Sequence, residues 1–317
     1  AFIKIEDAHV HCKIDSNDSR EICMRFGDKI PYEFVEVIAG VGNSPNAAVA
    51  SSRLGLKTAL VTDLGNDRIG EDTITTLRGN NIDTSFVSLH DGIKSNYHYV
   101  LWYDTDRTIL VKHFDYPYKF PDIGNPKWIY LSSLGEQSLP YHREIISYLK
   151  SHKEVKLAFQ PGTFQMKQGI ANLREIYTQT EVFFCNVEEA KRILNTEESE
   201  ITRLLRLLQS EGPKIVVITD GPKGAYAYDG KDAWFMPPYP DPKPPLERTG
   251  AGDSFASTFT SALALGKSIP EAMQWGPINS MSVVQYVGAQ KGLLTKEALL
   301  QYLREAHSDY KPQKITH

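Results

Sequence analysis

The chain has 317 residues, of which 41% are hydrophobic, so it is long enough to bury one large core or two smaller ones. The formal net charge is −4 and the lysines and arginines are spread along the sequence, which argues against binding to nucleic acid or to an anionic membrane surface. Apolar runs stay well short of the roughly 20 residues of a membrane-spanning helix, the first residues lack the layout of a secretory signal, and three cysteines do not make a disulfide framework, so the sequence predicts a cytoplasmic protein.

Two segments alternate between apolar and polar residues with the period of half-exposed strands. The first is 1–38, which contains AFIKIEDAHVHCKID, and the second is 85–118, which contains about three strand-like runs. We predict that both segments build one small antiparallel lid sheet. Between them, SPNAAVASSRLG predicts a helix, KTALVTDLG a strand and IGEDTITTLRGN a second helix.

From about residue 128 onward, strand patterns alternate with helix patterns. KWIYLSS, VKLAFQPG, EVFFCN and KIVVITDG predict strands, and LPYHREIISYLKSH, VEEAKRIL and EITRLLRLLQSEG predict helices. This alternation is typical of crossover units, so we predict an α/β fold with a mainly parallel sheet. The predicted domains are an α/β core, 39–84 and 119–317, and a discontinuous β lid, 1–38 and 85–118.

Two common phosphate-binding loops are excluded by their spacing. SALALGKS has Ser261 where a Walker A loop needs its first glycine. GAGDSF ends in Phe255 and GVGNSP ends in Pro45, where a dinucleotide fingerprint needs a glycine. Any nucleotide site in this chain therefore has to use another motif.

RTGAGDSFAS, residues 248–257, is the remaining candidate. Gly250 and Gly252 would let the backbone approach a phosphate, and Asp253 stands in the first turn of a predicted helix. Free N–H groups at a helix N-terminus bind anions, and a carboxylate there can accept a proton from a nearby hydroxyl. The alternative is that Asp253 only caps the helix.

Together with four other motifs, this stretch resembles the signature of the ribokinase-like (PfkB-type) carbohydrate and nucleoside kinase family. The other motifs are AGVGNSPNAAVASSRLG (39–55), NVEEA (186–190), ITDGPKGA (218–225) and WGPINSMSVVQYVGAQKG (275–292). The resemblance covers about residues 30–305 and implies a three-layer α/β/α core with a β lid. It also implies ATP-dependent phosphorylation of a hydroxymethyl group on a ribose- or fructose-like sugar, with an adenosine-like nucleoside as the alternative acceptor.

The resemblance implies a role for residues in each motif. Asp253 is expected to be the catalytic base, and the N–H groups of Gly250, Ala251 and Gly252 to stabilise charge on the transferred phosphoryl group. Glu189 is expected to act on Mg²⁺ through waters. The implied nucleotide-binding residues are Asn186, Glu189, Thr219, Gly221, Gly224 and Asn279, and the implied acceptor-binding residues are Gly42, Asn43 and Asn46.

Glu247 and Thr249 fall where part of the family has a monovalent-cation site, so the resemblance implies K⁺ as a second metal. Many relatives have an aspartate at the position of Glu247, and the longer side chain here moves the carboxylate. The glutamate at position 247 therefore weakens the expectation that K⁺ activates this protein.

The start of the chain also departs from the family pattern. Family members open with a core strand that ends in a glycine and an aspartate for the substrate hydroxyls, whereas AFIKIEDAHVH is typical of the lid strand that follows. We expect either that the first core strand and its aspartate are missing, or that residues 1–6 replace the strand and Asp7 or Asp15 binds the acceptor. The first case leaves a non-catalytic or impaired family member as an alternative function.

Aromatic residues in the second lid segment bear on the acceptor and on assembly. A nucleoside would need an apolar slot for its base, which Tyr97, Tyr99, Trp102 and Tyr103 could provide, although aromatic residues also stabilise exposed sheets. Free strand edges in the lid invite pairing, so we also predict a homodimer formed through the lid.

Overall fold

The computed structural model describes residues 1–6, 11–14, 20–103 and 106–315. Within this part of the chain, no helix combines the length and the apolar character needed to cross a membrane. Up to residue 110, the helices and strands are β1 (Phe2–Ile5), β2 (His11–Ile14), β3 (Arg20–Cys23), β4 (Tyr32–Glu36), α1 (Asn43–Arg53), β5 (Thr58–Ala59), β6 (Thr62–Gly65), α2 (Arg68–Gly79), β7 (Ile82–Asp83), β8 (Val87–His90), β9 (Tyr99–Tyr103) and β10 (Asp106–Leu110).

Strands and helices alternate in the remainder of the chain. They are β11 (Trp128–Leu131), α3 (Leu139–Ser151), β12 (Lys156–Phe159), α4 (Thr163–Gln179), β13 (Thr180–Asn186), α5 (Val187–Leu194), α6 (Ile201–Ser210), β14 (Ile215–Thr219), β15 (Ala225–Tyr228), β16 (Ala233–Met236), α7 (Ala251–Ala264), α8 (Ile269–Val283), α9 (Lys296–Glu305) and β17 (Gln313–Ile315).

A seven-stranded sheet forms the centre of the core, in the order β11-β12-β13-β14-β15-β16-β17. The first four strands are parallel and the last three are antiparallel to their neighbours. The parallel strands end on the same edge, so the residues that follow them gather there. Gln160 follows β12, and Asn186 and Thr219 end β13 and β14.

Both faces of this sheet are covered, because successive residues of a strand point to opposite sides. In β14, Val217 belongs to the hydrophobic cluster that includes residues of α7 and α8. Its neighbours Val216 and Ile218 belong to the cluster on the other side, with residues of α3, α4 and α6. The arrangement is the predicted three-layer α/β/α fold, and α1 packs against α7 on one side of it.

The lid is a separate four-stranded sheet in the order β10-β9-β1-β4. β1 is antiparallel to β4 and parallel to β9, and β9 is antiparallel to β10. Its strands come from both segments in which we predicted lid strands, and β1 lies in this sheet rather than in the central one. Asp7 and Asp15, the alternative acceptor residues, lie outside the described residues.

Several details differ from the sequence-based interpretation. The lid sheet is not wholly antiparallel, because β1 is parallel to β9, and β2 and β3 of the first lid segment form a separate two-stranded sheet. KTALVTDLG forms two short strands instead of one, with β5 parallel to β7 and β6 parallel to β8. β8 falls within the predicted lid segment but pairs with β6 and contributes nothing to the four-stranded sheet. The period-two pattern that predicted lid strands marks any half-buried strand, so it did not distinguish these two partners. The domain boundaries themselves stay a prediction.

Candidate active site

The turn that opens α7 requires glycine at its first position. Gly250 is the N-cap and has φ 81°, in the left-handed region. A Cβ on this residue would lie 2.3 Å from the Cβ of Ala289. Both the conformation and the close approach exclude a side chain, so the glycine fixes how the loop around Ala289 packs on the helix start.

Asp253 does not cap this helix. Gly250 takes the N-cap position and no side chain caps there, while Asp253 lies three residues further on, inside the first turn. Its carboxylate accepts hydrogen bonds from side-chain amides: Asn43 Nδ2 at 3.0 Å, Asn46 Nδ2 at 2.9 Å and Gln160 Nε2 at 3.5 Å. The carboxylate is therefore positioned by α1 and by the end of β12, which are distant in sequence.

Burial raises the pKa of the Asp253 carboxyl above its ordinary value, and the three amide donors, in the order Asn46, Asn43 and Gln160, oppose that rise. Desolvation disfavours the charged form, whereas hydrogen bonds to the carboxylate favour it. None of the groups that shift this pKa is a cation. A carboxylate in such surroundings is a stronger proton acceptor than an exposed aspartate.

Gln290 fixes the orientation of the Asn46 side-chain amide. Gln290 Nε2 donates to Asn46 Oδ1 at 3.0 Å and to the carbonyl of Gly40 at 2.7 Å. The amide oxygen of Asn46 is thus used as an acceptor, which leaves its nitrogen to donate to Asp253. Asn46 is 5% exposed, so this amide acts on Asp253 more than on any group in the cavity.

Gln160 is oriented by a tyrosine in the same way. The hydroxyl of Tyr130, on β11, donates to Gln160 Oε1, and Gln160 Nε2 faces Asp253. Burial, followed by the charge of Asp253, raises the pKa of the Tyr130 hydroxyl well above its ordinary value, so the hydroxyl keeps its proton and acts as a donor. Our sequence-based interpretation missed both residues. The signal for Gln160 was its position after a parallel strand, before Pro161 and Gly162.

Two cavities meet at the N-terminus of α7. The first, of about 500 Å³, extends from Asp253 to the lid strands. The second, of about 520 Å³, extends from α7 to α8 and to the turn after β14. The residues that line both are Asn186, Thr219, Arg248, Gly252 and Phe255. The helix start is therefore accessible from two sides at once.

Most of the predicted site residues line one of these cavities. Those on the first are Gly42, Asn43, Asn46, Asn186, Glu189, Thr219, Thr249, Gly250, Gly252 and Asp253. Those on the second are Asn186, Thr219, Gly221, Gly224, Ala251 and Gly252. The turn containing Gly221 and Gly224 closes through the N–H of Asp220, which donates to the carbonyl of Gly224 at 2.8 Å.

Asn279 is the exception among the predicted nucleotide-binding residues. It is fully buried, its Nδ2 donates to Thr258 Oγ1 at 2.8 Å, and its Oδ1 accepts from the N–H of Leu294 at 2.9 Å. The side chain ties α8 to α7 and to the loop before α9, and it does not line the second cavity. Met281, two residues later on α8, lines that cavity instead. The nucleotide-binding role of Asn279 stays a prediction, and its position in a motif did not show which face of α8 the side chain takes.

Asn186 and Glu189 form a reciprocal cap at the start of α5. The N–H of Glu189 donates to Asn186 Oδ1 at 2.8 Å, and the N–H of Asn186 donates to Glu189 Oε2 at 2.9 Å. Burial raises the pKa of Glu189, the bond from Asn186 and the charge of Arg192 lower it, and the charge of Asp253 raises it further. Glu189 lines the first cavity, and a cation near both carboxylates would relieve their repulsion.

The residues at the implied monovalent-cation site form a turn around the buried carboxyl group of Glu247. Glu247 is 4% exposed, and its two oxygens accept from the N–H of Gly288 at 2.8 Å and the N–H of Thr249 at 2.7 Å. The hydroxyl oxygen of Thr249 is buried without a hydrogen-bond partner in the described residues. In the described part of the chain, here included, no three His, Cys, Asp or Glu side chains come together as a metal-binding group. The K⁺ site stays a prediction.

Residues 21–296 match the family described as pfkB family carbohydrate kinase. The chain belongs to the pfkB family of carbohydrate kinases. The kinase is therefore a phosphotransferase whose acceptor is a hydroxyl group, as the motifs predicted. Its relatives include an ATP-dependent 6-phosphofructokinase from Thermoanaerobacterium thermosaccharolyticum, which is 25% identical over 278 residues, covering 83% of this chain and 84% of that protein.

Two further comparisons extend the likeness over nearly the whole kinase. The ribokinase of Bacillus subtilis is 26% identical over 301 residues, which cover 92% of this chain and 97% of that protein. The structure of Arabidopsis thaliana ribokinase complexed with ribose and ATP superposes with a TM-score of 0.73 at 18% identity, over 96% of this chain and 95% of that one. These matches confirm the predicted ribokinase-like fold and the sugar or nucleoside kinase class.

Proposed function

We propose that this kinase transfers the γ-phosphoryl group of ATP to a hydroxymethyl group of a sugar. The observation that carries the proposal is the position of α7, whose first turn lies between two cavities that share Gly252 as a lining residue. Phosphoryl transfer needs a donor and an acceptor on opposite sides of one anion-stabilising group. The helix N-terminus supplies that group here.

The first cavity is proposed to hold the acceptor, because it contains the buried carboxylate. Asp253 accepts the proton of the attacking hydroxyl as the bond to phosphorus forms. The amides of Asn43 and Gln160 both donate to the oxygen Oδ1 of Asp253, so they keep the carboxylate pointed into the cavity that they also line. Asn43 is placed to contact the acceptor as well, in line with its predicted role.

The second cavity is proposed to hold the nucleotide. Its walls include apolar side chains suited to a purine ring, namely those of Pro222, Tyr239, Pro277, Met281 and Val284. Arg248 lines both cavities and supplies positive charge where the phosphates are expected. Gly221 is open to the cavity, since nothing lies within 4 Å of where its Cβ would be.

Anion stabilisation at the start of α7 is proposed to use mainly the N–H groups after Ala251. The N–H of Ala251 already has a partner, the carbonyl of Arg248 at 3.4 Å. The N–H groups that follow it in the first turn have no partner within the helix, as is general at a helix N-terminus. Gly252 leaves room for a phosphoryl oxygen, because the nearest atom to a Cβ placed there is 3.7 Å away.

Magnesium is proposed to bind with ATP, held by phosphate oxygens and, through waters, by Glu189. The fit rests on two carboxyl groups that line the first cavity and influence each other electrostatically, the half-buried Glu189 and the buried Asp253, which no third His, Cys, Asp or Glu joins as a metal-binding group in the described residues. Such a site has too few protein ligands to hold Mg²⁺ alone, as is usual where phosphates complete the coordination. When bound, the ion neutralises charge on the transferred group.

A sugar is favoured over a nucleoside by the position of the lid aromatics. Four aromatic residues were predicted as candidates for a base slot: Tyr97, Tyr99, Trp102 and Tyr103. Of these, Tyr97 lines the first cavity. Tyr99 is 47% exposed, and Trp102 is buried against Phe34, with their ring centroids 5.9 Å apart. Two facing aromatic walls, as a base slot would need, are thus not formed by these side chains.

The lid is also proposed to form a homodimer contact. Alternation along the strands places Val35, Tyr99 and Leu110 on the face turned away from the cavity, and all three are about half exposed. Apolar side chains on one exposed sheet face favour contact with a second apolar surface. A second copy offers a matching surface by symmetry.

The function is tested by measuring ADP formation from ATP and Mg²⁺ in the presence of pentoses, hexoses, their phosphate and acid derivatives, and nucleosides. Acceptor-dependent ADP with a sugar is the expected result. A preference for nucleosides would overturn the acceptor assignment. No acceptor-dependent ADP from any compound, in a protein shown to bind ATP, would support the non-catalytic alternative.

A further inference from the structure

The lid face over the first cavity carries an arginine, Arg107. Val100 on β9 pairs with Ile109 on β10, and both line the cavity. Arg107 lies two residues before Ile109 and therefore on the same face of the sheet, and it lines the cavity too. This is the cavity that contains Asp253, so the guanidinium faces the acceptor side of the site.

One nitrogen of this guanidinium is unpaired in the described part of the protein. The Nε of Arg107 is buried and has no hydrogen-bond partner there. Glu36 is on the same face, but β4 is three strands away from β10, roughly 14 Å at the usual strand spacing. Asp72, on the opposite wall, pairs with Arg68 at 3.8 Å. A buried, charged donor without an acceptor is costly, and a ligand can remove that cost.

The chemistry of arginine narrows the ligand. A guanidinium is always charged and offers its N–H groups in a planar fork that matches the two oxygens of a carboxylate or a phosphate. A neutral hydroxyl can accept from one of these N–H groups, but it offers neither a charge nor a second oxygen that fits the fork. An arginine on the acceptor side therefore points to an anion on the acceptor.

A histidine on the same side supplies a neutral contact. His98 lines the cavity, and its Nε2 is buried with no partner in the described residues. Its ring meets that of His113 with 5.1 Å between centroids. Burial, and then the nearby His113, lower the pKa of His98, so the ring is neutral near pH 7 and Nε2 can exchange one hydrogen bond with a hydroxyl.

We infer that Arg107 binds an anionic substituent of the acceptor, a phosphate ester or a carboxylate, while His98 binds one of its hydroxyl groups. The inference rests on the proposed function and narrows it: the acceptor is an anionic sugar rather than a neutral one. Asp253 and the α7 N-terminus act on the hydroxyl that is phosphorylated, and Arg107 holds the opposite end of the molecule.

The test compares three acceptors of one carbon skeleton: the neutral sugar, its phosphate ester and its sugar acid. In the wild-type kinase, we expect kcat/KM to be highest for one of the two anionic forms, which also tells phosphate from carboxylate. Arg107→Met keeps the length of the side chain and removes the charge. We expect it to lower kcat/KM for the preferred anionic acceptor by about 10- to 100-fold, mainly through KM, and to leave the value for the neutral sugar within about threefold.

Two variants make the result specific. Arg206→Met removes the same charge from an exposed position on α6 and is expected to leave all three values unchanged. Arg107→Lys keeps the charge without the fork and is expected to fall between Arg107→Met and the wild type. If the wild-type kinase prefers the neutral sugar, or if Arg107→Met changes all three acceptors equally, the anion subsite is wrong while the kinase function stands. Absence of activity with every acceptor would instead contradict the proposed function.

Discussion

Replacing Asp253 with asparagine tests the centre of the site with almost no change in volume. Oδ2 accepts from Asn46, and Oδ1 accepts from Asn43 and Gln160. Asn46 must remain a donor, because its own oxygen is held by Gln290. The amide oxygen of the variant is therefore expected to turn toward Asn46. Its NH₂ group would then face the other two amides. Asn43 can turn over to present its oxygen, and Gln160 can do the same if the Tyr130 hydroxyl changes from donor to acceptor.

The kinetic effect follows from the loss of the proton acceptor. A positioned general base contributes typically 10²- to 10⁴-fold, so we expect kcat of Asp253→Asn to fall by about that factor. The second cavity does not include Asp253, so the affinity for ATP is expected to stay within about threefold. The effect should appear in kcat and kcat/KM alike, because the base acts in the transition state.

Although Asp253→Asn is expected to lower kcat, it is not expected to lower the stability of the folded protein at pH 7. Because burial raises the pKa of Asp253, ionising this group destabilises the folded protein, and stability is lost as the pH rises through the raised pKa. The asparagine variant does not ionise. We therefore expect its Tm to equal or exceed that of the wild-type protein at pH 7, with the difference shrinking as the pH is lowered toward 4.

Steady-state kinetics with the preferred acceptor, ATP binding by calorimetry and thermal melts at several pH values check these three expectations. Turnover within about threefold of wild type would refute the assignment of Asp253 as the base. A large drop in Tm at pH 7 would refute the reading of its surroundings, since it would mean that the three amides stabilise the charge more than burial destabilises it.

Three further predictions concern the neighbours of the base and the lid. Gly250→Ala is expected to lower Tm by several degrees, because the new Cβ clashes with Ala289 and the residue has a left-handed φ. Gly252→Ala has space for the Cβ and helical geometry, so it should keep Tm and lower kcat by filling the gap between the cavities. Thermal melts and kinetics compare the two variants, and equal effects on Tm and kcat would contradict the different roles of the two glycines. Tyr130→Phe removes the hydroxyl that orients Gln160, and with it the hydrogen bond by which Gln160 lowers the pKa of Asp253. The acid limb of the pH profile of kcat/KM, which reports ionisation of Asp253, should therefore move to higher pH. An unchanged limb would show that the hydroxyl has no such role. Leu110→Asp places a charge on the outer lid face and should shift a dimer toward monomer in analytical ultracentrifugation without changing the fold by circular dichroism; a dimer of unchanged strength would place the interface elsewhere.

Much of the fold could be predicted because its signals are local. The strand pattern in KIVVITDG and the helix pattern in EITRLLRLLQSEG each depend on a few neighbouring side chains, and both elements formed as β14 and α6. Pairing is a property of distant segments. The strand at Val87–His90 has the same alternation as the lid strands and pairs elsewhere, which no local pattern encodes.

The candidate site shows the same difference between local signals and contacts of distant segments. RTGAGDSFAS predicted a helix with an acidic first turn, and the structure has one. The sequence left open whether Asp253 caps the helix, because the answer depends on Asn43 and Gln160, which are 210 and 93 residues away. The buried position of Asn279 could not be predicted for a related reason: a motif gives the position along a helix, whereas packing decides which face the side chain takes.

The surroundings of Asp253 explain why amides, rather than cations, hold this carboxylate. An arginine or lysine at the position of Asn46 would bind the carboxylate more strongly and lower its pKa, which would weaken it as a proton acceptor. Neutral amides orient both oxygens while leaving the burial effect to raise the pKa. Two arginines line the same cavity as Asp253, Arg248 and Arg107, and neither is among the groups that shift the pKa of Asp253. If Arg107 binds an anion as we infer, one cavity would combine an anion subsite with a carboxylate whose pKa is not lowered by a neighbouring cation.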